Sequence, residues 1–281
     1  MKTYLSALQE VLDNGTVIPN RTGTDAITVF GMQHRYDLSK GFPAVTTKKL
    51  AWKSMLSELL WMIEGSDDER RLCEILHGTR DPSKTTIWTA NAQADYWKPK
   101  ARFDGDLGRV YGVQWRSWGV GNRMVIDQIS CMIHAIKLDP HGRRHLITAW
   151  NPGELNQMAL PPCHMFAQFH VANNKLSCQM YQRSADMVLG VPYNIASYSI
   201  LTHILAQVCG LGVGEFIHTI GNAHIYVNHV DAVKEQLSRA PMVLPTLWLN
   251  PEINDIDNFK MDDIKLVGYQ SHPAIKAEMA V

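Results

Sequence analysis

Apolar residues open the chain at helical spacing: Tyr4 and Leu5, then Leu8, then Val11 and Leu12, with Gly15 as a stop signal. Arg21-Thr22-Gly23-Thr24 reads as a loop before a short strand, Ile27 to Phe30. Trp52 to Ile63 is apolar on nearly every side, which predicts a buried helix, and Glu58 stands in its middle. From Gly65 to Gly108 the chain is polar and turn-rich and holds Trp88 and Trp97. Ile126 to Leu138 predicts another helix. Strand formers then dominate: His145 to Trp150, Met165 to Val171 and Leu176 to Tyr181. The last two flank Ala172-Asn173-Asn174-Lys175, whose paired asparagines suit a tight hairpin. Tyr198 to Cys209 predicts a long apolar helix, Phe216 to Tyr226 a strand and Val230 to Ser238 a last helix. No repeat and no Pro/Ser-rich linker divides the chain. Residues 1–281 therefore read as a single α+β domain on a large, mostly antiparallel or mixed sheet.

Composition narrows the function classes. With 281 residues, 46% of them hydrophobic, the chain can bury a substantial core. Its 27 basic and 27 acidic residues cancel, so it has no global field to draw it to nucleic acid or to an anionic membrane. Any phosphate it binds must be gripped by a local cluster of cations. The longest apolar stretch, Ile195 to Val213, is interrupted by Ser197, Ser199, Thr202, His203 and Gln207, which suits a buried helix better than a membrane span. The opening residues lack the apolar core of a signal peptide. Five cysteines (Cys73, Cys131, Cys163, Cys178 and Cys209), an odd number at scattered spacings, argue against a disulfide framework and a zinc knuckle. The expected setting is a reducing cytoplasm, with no metal.

Cys163 stands in Leu160-Pro161-Pro162-Cys163-His164. An isolated cysteine is most often a small core residue. Here two prolines fix an extended approach, which suits the positioning of a reacting group. A dyad with His164 is not expected, because neighbours in an extended segment face opposite ways. A thiol nucleophile needs instead a nearby cation, since an ordinary thiol has a pKa of about 8.5. Arg143-Arg144 and Gln182-Arg183-Ser184 flank predicted strands, and Arg21 sits in a Thr/Gly loop. Alone, each arginine reads as a solvated surface charge. Together they are a candidate phosphate cradle, because guanidinium forks match phosphate oxygens and Ser184 adds a hydroxyl. Asn194, at the start of a helical stretch, reads as an N-cap or as an amide that pairs with a base edge. His224 and Tyr226, two apart on a predicted strand, share a face. Glu58, among Met55, Leu56 and Leu59 to Ile63, is costly to bury unless paired or protonated, and its pKa should rise. It reads as half of a salt bridge or as a general acid/base working through water.

These residues lie in segments that resemble the thymidylate synthase family over nearly the whole chain. The segments are Asn20-Arg21-Thr22-Gly23-Thr24, Gly41-Phe42-Pro43 with Val45-Thr46-Thr47-Lys48, Glu58-Leu59-Leu60-Trp61, Ile87-Trp88, and Gly105-Asp106-Leu107-Gly108 with Val110-Tyr111-Gly112. Arg143-Arg144, Leu160 to His164, Tyr181-Gln182-Arg183-Ser184, Asp186, Gly190, Asn194 to Tyr198, His224-Ile225-Tyr226 and Met279-Ala280-Val281 follow in the family's order.

The resemblance implies a cytoplasmic homodimer of α+β fold whose large sheets pack back to back. It implies that Cys163 adds to C6 of the uracil ring of dUMP. Arg21, Arg183 and Ser184 would hold the phosphate, with Arg143 and Arg144 reaching over from the other subunit and Gln182 among the substrate-binding residues. Asn194 would hold the uracil edge, and His224 and Tyr226 the deoxyribose hydroxyl. The second substrate would be 5,10-methylenetetrahydrofolate, contacted by Ile87, Trp88, Leu160, Asp186, Gly190, Tyr193, Ala280 and Val281. Glu58, Tyr111 and His164 would order the water that moves protons, and Asp186 would stand with them among the catalytic residues.

The chemistry is coherent with that assignment. C5 of uracil is a poor nucleophile. Thiolate addition at C6 turns C4–C5 into an enolate that can attack a one-carbon electrophile, so one hard step becomes two easier ones. The oxyanion at O4 needs a donor, from Asn194 or an ordered water. A primary amide donates to O4 and accepts from N3–H, so uracil is the expected base rather than cytosine.

Some positions depart from the family's pattern. Thr89 follows Trp88 where an acidic or related polar residue is common, Arg109 replaces a frequent proline, and Asn222 replaces a frequent aspartate. Leu76 to Trp97 is longer than usual. Asn222 and the Gly41-to-Trp52 segment resemble phage synthases, which suggests a phage origin. These departures bear on the last step. Hydride transfer to the C5 methylene gives dTMP and dihydrofolate, the expected outcome. Capture by water gives 5-hydroxymethyl-dUMP, the alternative, as in phage-type dUMP hydroxymethylases. Two rival classes have less behind them. A Cys163 acyl hydrolase or transferase has no motif for its base or oxyanion hole, and a non-catalytic nucleotide or RNA-binding module has no basic stripe.

Overall fold

The computed structural model describes residues 1–20, 23–121 and 124–278. α1 (Lys2–Asn14) buries Tyr4, Ala7, Leu8 and Val11, the stripe that its apolar spacing provides. β1 (Thr16–Ile18) leads into β2 (Ala26–Asp37), which runs well past the predicted Ile27–Phe30. Met32 and Tyr36 continue a buried face while Gln33 and Arg35 stay exposed. Gly31, at φ 86°, interrupts the regular strand where the apolar alternation is lost. α2 (Trp52–Glu64) buries Met55 to Ser57 and Leu59 to Ile63, as its composition requires.

The segment read as turn-rich contains α3 (Glu69–His77) and the short α4 (Thr89–Ala92). Signals for α3 are present in the sequence. Asp68 accepts the Arg70 N–H as N-cap, and Gly78 closes the helix in the left-handed conformation. A run of charged residues, Glu69-Arg70-Arg71, masks its apolar spacing.

α5 (Tyr111–Arg116) precedes a small ribbon, β3 (Trp118–Gly119) with β4 (Val125–Ile126). α6 (Gln128–Leu138) starts two residues later than predicted, because the Asp127 carboxylate caps it through the Ser130 N–H. β5 (Leu146–Thr148), β6 (His164–Ala172) and β7 (Lys175–Asp186) follow. Asn173 (φ 51°) and Asn174 (φ 57°) both take positive φ between β6 and β7, as the asparagine pair predicts for a two-residue hairpin. α7 (Val191–Val208) begins seven residues before the predicted Tyr198, since Pro192 presets the first turn. Asn194 therefore lies inside that turn, its backbone N–H on the Gly190 carbonyl, and is not the N-cap. β8 (Gly212–Tyr226), α8 (Val230–Ser238) and the ribbon β9 (Thr246–Leu249) with β10 (Ile264–Val267) complete the chain.

Six strands form one mixed sheet in the order β1-β2-β8-β7-β6-β5. Only β7 and β8 run parallel, joined by the α7 crossover; the other neighbours are antiparallel. Leu176, Cys178, Met180 and Gln182 of β7 and Phe216, His218 and Ile220 of β8 are buried on the face that α7 covers, where Tyr198 stacks on Phe216 with 6.1 Å between ring centroids. The opposite face carries Gln179, Thr219 and the Phe166–Tyr181 stack, with Phe166 40% exposed. Among the described residues, no helix is long and apolar enough to cross a membrane.

Candidate active site

The parallel pair β7–β8 sets Ser184 beside Asn222 and Asp186 beside His224 at its C-terminal end. A cavity of about 1430 Å³ opens there, walled by α2, α5, the start of α7 and the segments around Ile87 and Leu160. Gly112 closes one corner. A Cβ at that position would collide with the Met62 carbonyl, so glycine alone lets α5 approach α2 closely enough to bring Tyr111 to the same wall as Glu58.

Cys163 ends the diproline segment and faces the cavity. Its N–H donates to the Tyr111 hydroxyl at 2.8 Å. Arg183 pins the same segment, donating from Nε to the Pro162 carbonyl and from Nη2 to the Pro161 carbonyl, both at 2.9 Å. Nη2 also stands 4.0 Å from Cys163 Sγ. The cation that a thiol nucleophile requires is therefore present, steadied over the Trp150 ring at 5.5 Å. His164 turns elsewhere. Its ring stacks on Tyr111 at 4.1 Å and its Nδ1 lies 2.8 Å from the Tyr198 hydroxyl, while burial pushes its pKa down to about 3. It is a neutral imidazole at physiological pH.

Glu58 sits at the cavity wall and accepts the Trp88 indole N–H at 2.7 Å. Loss of water around the carboxyl pushes its pKa up to about 7, against the smaller opposing pull of that hydrogen bond. No ion pair reaches it among the described residues, so of its two sequence readings the salt bridge lacks a partner. Trp88 is itself held in place. Its backbone N–H donates to the Thr86 hydroxyl, and the Thr86 and Thr89 hydroxyls each donate to Glu69 Oε1 at 2.6 Å. Glu69 is buried and paired with Arg70 at 2.5 Å.

Ser184, Asn194, His224 and Tyr226 line the same cavity, and so does the buried Gln182, whose Nε2 donates to Asn194 Oδ1 at 3.0 Å. His224 and Tyr226 meet edge to face at 5.2 Å, as their spacing on one strand predicts. His224 has its pKa lowered by burial and lies 2.9 Å, through Nδ1, from Asn222 Oδ1. Leu160, Gly190, Tyr193 and the exposed Ile87 form the other wall with Trp88. Asp186 faces the cavity too, but its Oδ1 accepts the Val188 and Leu189 N–H groups and shapes the entry to α7. Arg143 and Arg144 are exposed in the turn before β5 and do not line the cavity. Arg21, Ala280 and Val281 lie outside the described residues.

Three contributors escape sequence reasoning: Glu69, Tyr198 and His218. Tyr198 lies one helical turn beyond Asn194, and His218 shares the alternate face of β8 with His224, so periodicity carried a signal for both. The departures also find places. Thr89 bonds Glu69 rather than facing the cavity, and Arg109 pairs with Glu154 at 2.9 Å and donates to the Ser117 carbonyl.

A thiol beside a guanidinium, a carboxyl with a pKa near neutrality and neutral imidazoles suit nucleophilic addition coupled to proton transfer. The volume exceeds the ~300–1,000 Å³ of an ordinary small-molecule pocket, which fits two substrates side by side. No group of three or more His, Cys, Asp or Glu side chains converges as a metal site among the described residues. A family model described as thymidylate synthase matches residues 2–281.

Proposed function

The chain belongs to the thymidylate synthase family, whose reaction places a one-carbon unit from methylenetetrahydrofolate on dUMP, and we propose that this protein carries the reaction through to dTMP and dihydrofolate with Cys163 as nucleophile. The observation behind this is Cys163 Sγ beside Arg183, on the wall of a cavity large enough for nucleotide and folate together.

Cys163 Sγ attacks C6 of the uracil ring, and the enolate that forms makes C5 nucleophilic. Arg183, Ser184 and Arg21 grip the phosphate. Arg143 and Arg144 are exposed and do not line their own cavity, which supports a homodimer in which the partner subunit's Arg143 and the partner subunit's Arg144 complete the cradle. Gln182 and Asn194 meet the base, and His224 and Tyr226 the deoxyribose. Glu58, with its pKa near 7, holds or releases a proton at physiological pH and passes it through water ordered by Tyr111 and His164. The bound folate supplies the one-carbon unit to C5 and then a hydride; C5 gives up its proton, and cleavage of the Cys163–C6 bond regenerates the thiolate and frees the nucleotide. Ile87, Trp88, Leu160, Asp186, Gly190 and Tyr193 are the wall suited to hold it, with Ala280 and Val281 at the chain's end.

Reduction rather than hydration is favoured by the fixing of Trp88 from two sides, by Glu58 directly and by Glu69 through Thr86. A rigid indole at the folate wall excludes water from the C5 methylene. The phage-like Asn222 and Gly41-to-Trp52 segment support a phage origin, with the host cytoplasm as the setting. Mass spectrometry of the nucleotide product, with dUMP and 5,10-methylenetetrahydrofolate supplied, tests the fate of the methylene. Production of dTMP with stoichiometric dihydrofolate is expected, whereas 5-hydroxymethyl-dUMP without dihydrofolate identifies a dUMP hydroxymethylase. 5-Fluoro-dUMP plus folate should label the wild type covalently and leave Cys163→Ala unlabelled.

A further inference from the structure

Behind Asn194 runs a chain of hydrogen bonds whose polarity has one consistent solution. Gln182 Nε2 donates to two acceptors, the Ser184 backbone carbonyl and Asn194 Oδ1, each at 3.0 Å. A backbone carbonyl only accepts, so the Gln182 amide cannot be turned over without losing that bond. Its Oε1 must then face His218, whose Nε2 stands 2.8 Å away. A carbonyl oxygen only accepts as well, so His218 Nε2 carries the proton. His218 Nδ1 is buried without a partner among the described residues, as expected of an imidazole with its single proton on Nε2. Burial, with His34 and His164 nearby, pushes the pKa of His218 down to about 3, so it remains neutral.

At the other end of this chain, Asn194 Oδ1 accepts from Gln182, which fixes Nδ2 as the donor end of the amide and leaves the second lone pair of Oδ1 to accept from N3–H. An amide nitrogen donates to O4 of uracil and opposes the 4-amino group of cytosine. Flipping the Asn194 amide to suit cytosine would set Nδ2 against Gln182 Nε2, donor against donor. We propose that His218, which touches no substrate, is a positioning residue that locks Gln182 and thereby the Asn194 amide in the orientation that selects uracil. It rests on the reading above that Asn194 meets the base. His218 lies on the inward face of β8 at 0% exposure, with Gln182 at 2%, so neither can recruit bulk water in place of the other.

The test has two parts. Nitrogen-15 NMR of histidine-labelled full-length protein should show His218 at pH 7 as the neutral Nε2–H tautomer. An Nδ1–H tautomer or an imidazolium overturns the proposal. His218→Leu removes the donor, whereas His218→Gln offers an amide N–H near the same place. For His218→Leu, kcat/KM with dUMP should fall roughly 10- to 100-fold, and the preference for dUMP over competing dCMP should narrow roughly tenfold. His218→Gln should restore most of both. Unchanged preference in His218→Leu, or no rescue by glutamine, overturns the proposal. If His218→Leu does not fold, the tautomer and the base preference of His218→Gln decide. A wild-type protein that does not turn over dUMP at all would sink the nucleotide assignment itself, a different result from an active wild type beside an indifferent His218→Leu.

Discussion

At pH 8 a Glu58→Gln variant should be more stable than the wild type, and the gap should shrink as the pH falls to 5. Raising the Glu58 pKa from 4.5 to about 7 corresponds to about 3 kcal/mol, at ~1.4 kcal/mol for each tenfold change. The sign follows from linkage. Between those values the unfolded chain has lost a proton that the folded chain keeps. The stabilisation this proton gives is complete below pH 4.5 and is lost as pH rises through about 7. Glutamine cannot ionise, yet keeps an Oε1 for the Trp88 indole. Wild type and variant should therefore differ more at pH 8 than at pH 5, by about 2 kcal/mol after allowing for cavity water. Urea unfolding at one fixed protein concentration, at both pH values, measures this. A difference that does not change with pH would refute a desolvated Glu58 carboxyl. The same variant should lose most of its turnover, and the wild-type arm of the kcat–pH profile near pH 7 should disappear with it.

Glu69→Ala strands Arg70 and removes the acceptor of Thr86 and Thr89; unfolding should cost about 3–5 kcal/mol less, and KM for the folate should rise as Trp88 loosens. A loss below about 1 kcal/mol in urea titration would contradict a buried staple. Tyr111→Phe takes the acceptor from the Cys163 N–H; kcat should drop roughly tenfold with the circular dichroism spectrum unchanged, and wild-type kcat would show that the hydroxyl does not position the thiol. Phe166→Asp charges the sheet face that lies opposite α7; if the proposed homodimer packs through that face, the variant should sediment as a smaller species than the wild type, and equal sedimentation of the two would contradict an interface there.

Local periodicity made the helices α1, α2 and α8 legible from the sequence, together with the β6–β7 hairpin, because burial on one face writes itself into spacings of a few residues. The same rule failed where other forces dominated. Charged residues hid α3 behind its caps, a glycine hid the length of β2, and a proline opened α7 seven residues early. Cys163 and Glu58 stood out by chemistry, whereas Asn194 read equally as an N-cap and His224 and Tyr226 as a polar patch on a sheet until the order of the motifs tied them to a family. What spacing does not encode is which residues far apart along the chain come to share one wall. Tertiary packing brought Arg183 to the thiol, left Glu58 without an ion-pair partner among the described residues, kept Arg143 and Arg144 off the wall of their own cavity, and threaded His218 through Gln182 to Asn194. These outcomes depend on desolvation and hydrogen-bond geometry, and both arise only once sheet and helices have closed around the site.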